Sequence, residues 1–361
     1  MKHLPVAIVV TGLSLLWACG SASSDGPARA AQPADTTSTT TTAAPAATVA
    51  SSSTTVPAGP VRLEARDVVT GLDTVWSLAW DPAGALWWTE RGGTLTKQGG
   101  RAITIDGVSQ QGESGLMGLE FDRDGRIYLM YTTASDNRIV RRERDGSGER
   151  VLVDGLRKAA IHDGGRIRFG PDGALYAGTG DASDTSLPQN DSSQNGKILR
   201  IDPQSGSTTN VAKGYRNSQG LCFARDGRFF TTEHGPSQGD EINLIRPGSN
   251  GGWPGETGNG IKNWTPTIAP AGCVVYEADL IPQWKGSLLF VTLKDQDLRR
   301  LTFASDGSVA DEEILFDGRW GRLRDVAVGP DGAVYLATSN KDSRGSPKSG
   351  DDRIIRLAPA P

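Results

Sequence analysis

Histidine is scarce in this chain, with three residues in 361, so each placement is informative. His162 lies in His162-Asp163-Gly164-Gly165-Arg166, beside two glycines that allow close backbone approach. Imidazole titrates near neutrality and suits proton transfer, although a lone histidine is more often structural. Several cations stand in comparable settings. Arg216 opens Arg216-Asn217-Ser218-Gln219-Gly220-Leu221, Arg322 and Arg324 fall in Gly321-Arg322-Leu323-Arg324-Asp325-Val326, and Lys294 closes an apolar run. Gathered together, they would suit a small polyanion, because Arg and Lys pair strongly with carboxylates once partly desolvated. Pairing with Glu90, Glu113 and Asp181 is the competing account. The segments Glu233-His234-Gly235-Pro236 and Gly239-Asp240-Glu241-Ile242-Asn243-Leu244 offer carbonyls and carboxylates suited to a hard cation such as calcium, or are charged surface turns.

Residues so far apart need a repetitive scaffold to meet. An apolar run, an Asp-x-x-Gly-like turn and a second apolar or aromatic run recur six times, with turn glycines at 84, 125, 173, 227, 286 and 332. The copy around Gly286 (Trp284-Lys285-Gly286-Ser287-Leu288-Leu289) is the weakest. Each copy reads as a hairpin, with glycine supplying the positive-φ turn position. The glycines are 41 to 59 residues apart, and a four-stranded propeller blade takes roughly 40 to 45. The expected fold is therefore all-β: a six-bladed β-propeller of four-stranded antiparallel blades over residues 61–361. The last strand, near 353–357, and the first, near 61–64, would close the ring in one shared blade. If the innermost strand of each blade runs into its Asp-Gly turn, residues 8 to 12 before that turn and 6 to 8 after it reach the opposite rim. Glu113, His162, Arg216, Arg322 and Arg324 satisfy the first condition. Glu90, Asp181, Glu233, His234 and Lys294 satisfy the second.

Composition narrows the class. Gly 46 and Pro 20 make up about 18% of the chain, against roughly 12% in an average protein, which excludes a helical bundle or coiled coil. A net charge of -4 without a long basic run excludes a nucleic-acid partner. Residues 1–19 read as a signal peptide, with Leu16-Trp17-Ala18-Cys19-Gly20 resembling a lipoprotein cleavage box, so an exported product with a lipid anchor at Cys19 is expected. An ordinary secretory signal cleaved slightly later is the alternative. Residues 20–60, rich in Ser, Thr, Ala and Pro, cannot bury enough apolar area to offset ordering entropy and read as a flexible stalk. Cys222 and Cys273 leave two states open, a bridge across 51 residues or two buried free thiols, and the apolar runs around them favour free thiols.

The ordered series of motifs resembles the soluble pyrroloquinoline-quinone-dependent aldose sugar dehydrogenases, the glucose/sorbosone dehydrogenase family. It runs from about Val69 to Leu357 and includes Gly115-Leu116-Met117-Gly118-Leu119, the His162 motif, Gly196-Lys197-Ile198-Leu199-Arg200-Ile201-Asp202, the Arg216 motif, His234 to Leu244, Gly252-Trp253-Pro254 and the Arg322 motif. The resemblance implies that His162 is the base for the sugar C1 hydroxyl. It implies that Arg216, Asn217, Gln219, Lys294, Arg322 and Arg324 hold the tricarboxylate cofactor. Carbonyls of Gly235 and Pro236 match ligands of a calcium ion beside the quinone, and Glu241 with the carbonyl near Gly251 matches a second calcium site. Glu113, Asp163 and Asp181 are candidate sugar contacts. Glu113 stands where glucose-specialised members have Gln, and Ile161 where they have Asp, so a broad aldose range is implied, with electrons passed to an unidentified cytochrome, quinone or dye. A lactonase-like hydrolase or a carbohydrate- or protein-binding propeller are the alternatives.

Overall fold

The computed structural model describes Gly59, residues 61–255 and residues 260–361. The signal peptide, the Cys19 box and nearly all of the stalk expected from sequence lie outside the described residues. Strand β1 (Leu63–Val69) precedes a first blade made of β2 (Val75–Trp80), β3 (Leu86–Glu90), β4 (Thr94–Lys97) and β5 (Ile103–Thr104). The second blade comprises β6 (Leu116–Phe121), β7 (Ile127–Thr132), β8 (Asn137–Arg142) and β9 (Glu149–Leu156). The third comprises β10 (Gly164–Phe169), β11 (Leu175–Thr179), β12 (Lys197–Ile201) and β13 (Thr208–Lys213). The fourth is β14 (Ser218–Phe223), β15 (Phe229–Glu233), β16 (Asp240–Leu244) and β17 (Lys262–Trp264). The fifth is β18 (Pro270–Val275), β19 (Leu288–Thr292), β20 (Leu298–Phe303) and β21 (Val309–Leu315). The sixth joins β22 (Leu323–Val328), β23 (Val334–Thr338) and β24 (Ile354–Pro359) to β1, whose Leu63 and Ala65 face Pro359 and Leu357. All sheet pairings are antiparallel, and the innermost strands β2, β6, β10, β14, β18 and β22 neighbour one another in a closed ring. The six-bladed propeller expected from the repeat is the fold.

Each turn glycine occupies the hairpin between the first and second strands of its blade, with φ between 75° and 90°. The aspartate of the repeat fastens that hairpin. Asp81 accepts the Ala85 amide at 2.9 Å and the Trp87 indole at 3.0 Å. Asp172 and Asp331 bind the hydroxyls of Tyr176 and Tyr335 on the second strand and Arg200 and Arg356 on the third. Only the fifth blade departs from this length, inserting a turn of 3-10 helix, Pro282–Trp284, before Gly286. Apolar side chains form six clusters, each between adjacent blades, and aromatic pairs such as Trp80–Tyr335 and Tyr128–Phe169 cross those boundaries. Every innermost strand has a register break with its partner in its first half: at Val75/Ser77, Leu116/Leu119, Gly164/Ile167, Ser218/Gly220, Pro270/Cys273 and Leu323/Asp325. Such bulges re-aim the side chains beside them.

The linkages between blades include a disulfide and a buried ion pair. Cys222 and Cys273 form a disulfide with 5.8 Å between their Cα atoms, which corrects the favoured reading of two free thiols. They lie on β14 and β18, which the ring sets side by side although 51 residues separate them. The second linkage is Arg166, only 1% exposed, whose guanidinium reaches Asp325 at 2.9 Å, the Ser77 hydroxyl at 2.9 Å and the Gln219 carbonyl at 3.1 Å. Asp325 also accepts the Leu78 amide at 2.8 Å. One ion pair thus connects the first, third, fourth and sixth blades. Asp325→Ala leaves Arg166 as an uncompensated buried charge and is expected to cost about 3–5 kcal/mol of unfolding free energy in denaturant titration; a loss below about 1 kcal/mol would contradict this role.

Candidate active site

The ends at which the innermost strands begin carry the functional side chains. Glu113 lies just before β6, His162 just before β10, Arg216 and Asn217 just before β14, and Arg322 just before β22, while Arg324 is the second residue of that strand. Lys294 follows β19, as Asp181 follows β11. Two adjoining cavities of about 270 and 250 Å³ share Glu113, His234, Ala269 and Arg344. His162, Arg216, Asn217, Gly235 and Pro236 line the first; Gln219, Lys294, Arg322 and Arg324 line the second. Larger depressions at the Asp-Gly hairpin face hold none of these residues.

His162 Nδ1 lies 2.9 Å from Asp181 Oδ1, and the Trp253 indole donates to Asp181 Oδ2 at 2.9 Å. Asp181 is 1% exposed, held also by the Ser183 amide at 2.8 Å. With Nδ1–H donated to this carboxylate, Nε2 is left as the proton-accepting nitrogen. Asp163 is likewise buried below the base, bonded to Asn137 and the Ala159 amide at 2.9 Å each, with its second oxygen unpartnered. Of the three expected sugar contacts, therefore, only Glu113 lines the cleft. Its carboxylate pairs with Arg344 and accepts the His162 amide at 3.2 Å. Burial works against the Glu113 charge, but Arg344 and His234 hold its carboxyl down at about 2.

On the cationic side, Arg322 is satisfied by Asp342 at 2.8 Å and the Leu293 carbonyl at 3.0 Å. Arg324 is not: one nitrogen donates to Gln219 at 2.6 Å, while buried Nε has no partner. Burial, reinforced by Arg322 and Arg91, pushes its guanidinium down to about 9, with Asp342 opposing. A crowded, partly unsatisfied set of cations fits an anionic ligand. Arg216 donates to the carbonyls of His234 and Gly235 at 3.1 and 2.9 Å and stacks 5.5 Å from Trp253. Asn217 accepts the Gly164 amide at 3.1 Å and the Gln219 amide at 3.0 Å. Lys294 reaches Thr267 at 3.0 Å. Burial pushes His234 down to about 4, and its Nε2 sits 2.9 Å from the Pro270 carbonyl.

Glu241 and Gly251 do not line the cleft but a small void next to it, whose walls also include Glu233, Trp253 and the cleft residues Arg216, His234 and Gly235. Burial and the nearby Glu241 charge raise Glu233 to about 8, against bonds from the Asn217 amide and Ser218 hydroxyl at 2.8 Å. Glu233 is then largely the neutral acid at neutral pH, which leaves Glu241 and the glycine backbone as the hard-oxygen donors at this void. Among the described residues no group of three His, Cys, Asp or Glu side chains is arranged to hold a metal, so a cation here would depend on main-chain oxygens. Arg91, Asp342 and Arg344 are residues that the repeat does not reveal. Arg91 is 4% exposed with an unpartnered Nε, and Asp342 joins Arg322 to the Arg344 amide. Asp342 and Arg344 lie in the Gly/Ser-rich segment after β23, where composition signals only a turn.

Residues 72–346 match the Glucose / Sorbosone dehydrogenase family. The chain belongs to that family. A solved structure of the PQQ-bound form of aldose sugar dehydrogenase from Streptomyces coelicolor is 36% identical, superposes with a TM-score of 0.74, and covers 83% of this chain and 99% of its own. The aldose sugar dehydrogenase YliI of Escherichia coli K12 is 28% identical over 78% of this chain and 91% of its own length. Quinoprotein glucose dehydrogenase B of Acinetobacter calcoaceticus is 24% identical, covering 81% and 88% respectively.

Asp163 supplies a pH test of this geometry. Burial raises its carboxyl to about 6, from a model-compound value of 3.8. The folded state therefore binds the proton more tightly than the unfolded state. The resulting stability is complete below about pH 4 and is lost as pH rises through 6, an effect on the order of 3 kcal/mol. Asp163→Asn, fixed in the neutral form, is expected to flatten the dependence of Tm on pH between about 4 and 7. Parallel curves for the wild type and the variant would contradict the assignment.

Proposed function

We propose that this protein is a quinoprotein that oxidises the C1 hydroxyl of aldose sugars to lactones, with His162 as general base. The observation that carries the reading is the unmet donor of buried Arg324 among Lys294, Arg322 and Arg216, on the cleft that is also lined by His162, itself backed by Asp181. Arg216, Asn217, Gln219, Lys294, Arg322 and Arg324 would hold the tricarboxylate of pyrroloquinoline quinone. Gly235 and Pro236 would offer carbonyls to a calcium ion beside it, and Glu241 with Gly251 to a second. When bound, the quinone supplies the hydride acceptor and calcium the Lewis acid that polarises it.

His162 takes the proton of the C1 hydroxyl at Nε2, which releases the C1–H electron pair to depart as hydride while C1–O becomes the lactone carbonyl. Asp181 accepts Nδ1–H before and after that transfer, fixing the tautomer and stabilising the imidazolium. Trp253 and the Ser183 amide keep Asp181 in place. Glu113 alone among the acidic candidates faces the cleft, so the wall offers few fixed sugar contacts, in keeping with a broad aldose range. The electrons would pass on to an unidentified external acceptor. Export and anchoring through Cys19 rest on the leader sequence.

Reconstitution with pyrroloquinoline quinone and calcium is expected to give a cofactor absorbance on titration and dye-linked oxidation of several aldoses. His162→Ala should lower kcat by about 10²–10⁴-fold with cofactor binding retained, whereas Arg324→Met should weaken cofactor binding by about 10–100-fold. Absence of both the cofactor spectrum and turnover in the wild type would overturn the reading. Cys19→Ser is expected to move the protein from the membrane fraction to the soluble exported fraction; unchanged partitioning would exclude a lipid anchor at that residue.

A further inference from the structure

We propose that Glu113 and Arg344 position the base: their ion pair, reaching in from neighbouring loops, holds His162 in the backbone conformation that keeps Nδ1 on Asp181. This rests on His162 being the base. His162 has φ of 66°, in the left-handed region that side-chain-bearing residues seldom occupy, so its surroundings must impose that conformation. Three polar contacts fix it. Its carbonyl accepts the Ala182 amide at 3.0 Å, and its ring meets Asp181 at 2.9 Å, both from the segment that follows β11 in the same blade. The third is its amide, which donates to Glu113 Oε2 at 3.2 Å and is the contact that comes from a different blade connection.

Glu113 is itself placed closely. Its amide donates to the Ala160 carbonyl at 2.7 Å, and a Cβ on the preceding Gly112 would stand 2.1 Å from that same carbonyl. The loop before β6 therefore lies directly against the loop that carries the base. The other Glu113 oxygen is clamped by Arg344, from the segment between β23 and β24. The Arg344 amide donates to Asp342 Oδ1 at 2.9 Å, while Asp342 Oδ2 takes Arg322 at 2.8 Å. A continuous polar chain thus runs from the cation side of the cleft through Asp342, Arg344 and Glu113 to the backbone of His162. A residue that only touched sugar would need neither the bond to the His162 amide nor the clamp.

The scarcity of histidine makes the test direct, since His3, His162 and His234 are the full set. In the apo full-length protein labelled with ¹⁵N-histidine, two-bond ¹H–¹⁵N spectra report which ring nitrogen carries the proton, with His162 assigned by its loss in His162→Gln. The wild type is expected to show His162 protonated at Nδ1. Glu113→Ala should shift it toward the Nε2–H form that an unconstrained histidine side chain prefers, and Glu113→Gln, whose amide oxygen still accepts the His162 amide, should restore the wild-type signature. Arg344→Met should give a mixture of the two tautomers. In the reconstituted enzyme kcat should fall about 10–100-fold in Glu113→Ala and recover most of that loss in Glu113→Gln. A folded Glu113→Ala with an unchanged His162 spectrum and only a raised KM would overturn the proposal. Should that variant fail to fold, an unchanged spectrum in Arg344→Met would overturn it. The spectra need no cofactor, so a failed reconstitution and a failed positioning role are separate results.

Discussion

The Arg166–Asp325 ion pair is the constraint on which the rest of the structure depends. A ring of six innermost strands leaves an axis that something must fill, and polar groups buried there have to find one another. Arg166 reaches three other blades from the third, and Asp325 answers with both a charge and a bond to the Leu78 amide. Gly272 has to be glycine beside it, because a Cβ there would meet the Asp325 carboxylate at 2.0 Å. The same arrangement sets the floor of the cleft. Arg166 binds the carbonyl of Gln219, and the side chain of Gln219 receives Arg324. Arg324, whose Nε lacks a partner, is thus linked through Gln219 to the residue that ties the blades together, and this side of the cleft takes its geometry from the packing of the axis.

Much of this was legible from local sequence. Six Asp-Gly-type turns gave the blade count because each glycine has to supply a positive φ at one defined place in a hairpin, and the offsets from those turns gave the rim. Those offsets describe a strand running from turn to rim and are blind to what happens at its far end. There Asp163 and Asp181 are buried beside His162 while Glu113 lines the cleft, a difference that similar offsets from the turns do not encode. Contacts across blades were also beyond a linear reading. The pairing of Cys222 with Cys273 follows from which strands adjoin in the ring, and Arg344 sits in a segment whose composition announces only a turn. His162 was found by its scarcity and its glycine neighbours, but its left-handed backbone left no trace in the sequence.

The site also illustrates how a nearly neutral protein maintains a strongly charged cleft. Arg322 is neutralised by Asp342, and Glu113 by Arg344, so two of the charged groups are already matched. Arg324 and Arg91 are each left with a buried donor that has no partner. Such groups are costly in an empty cavity and favourable beside an anion. Of the two, Arg324 lines the cleft, so an anion bound there would gain a charge-assisted hydrogen bond that an apolar molecule of the same size could not make.

The sixth blade, finally, draws its outer strand from residues 63–69 and its other three from residues 323–359. The ring is thereby sealed by segments separated by almost the whole length of the chain. During synthesis five blades can take shape in order, but the sixth stays short of a strand pairing until residues 354–359 have emerged to meet β1. Closure is then a late and long-range event, and until it occurs neither side of β1 is paired, while the apolar faces of the first and fifth blades lack the part of their cover that β24 supplies through Ile354, Ile355 and Leu357. A chain built in this way leaves the pairing of its two ends until last, so a truncation that removes only β24 unpairs β1 and β23 together and opens the ring.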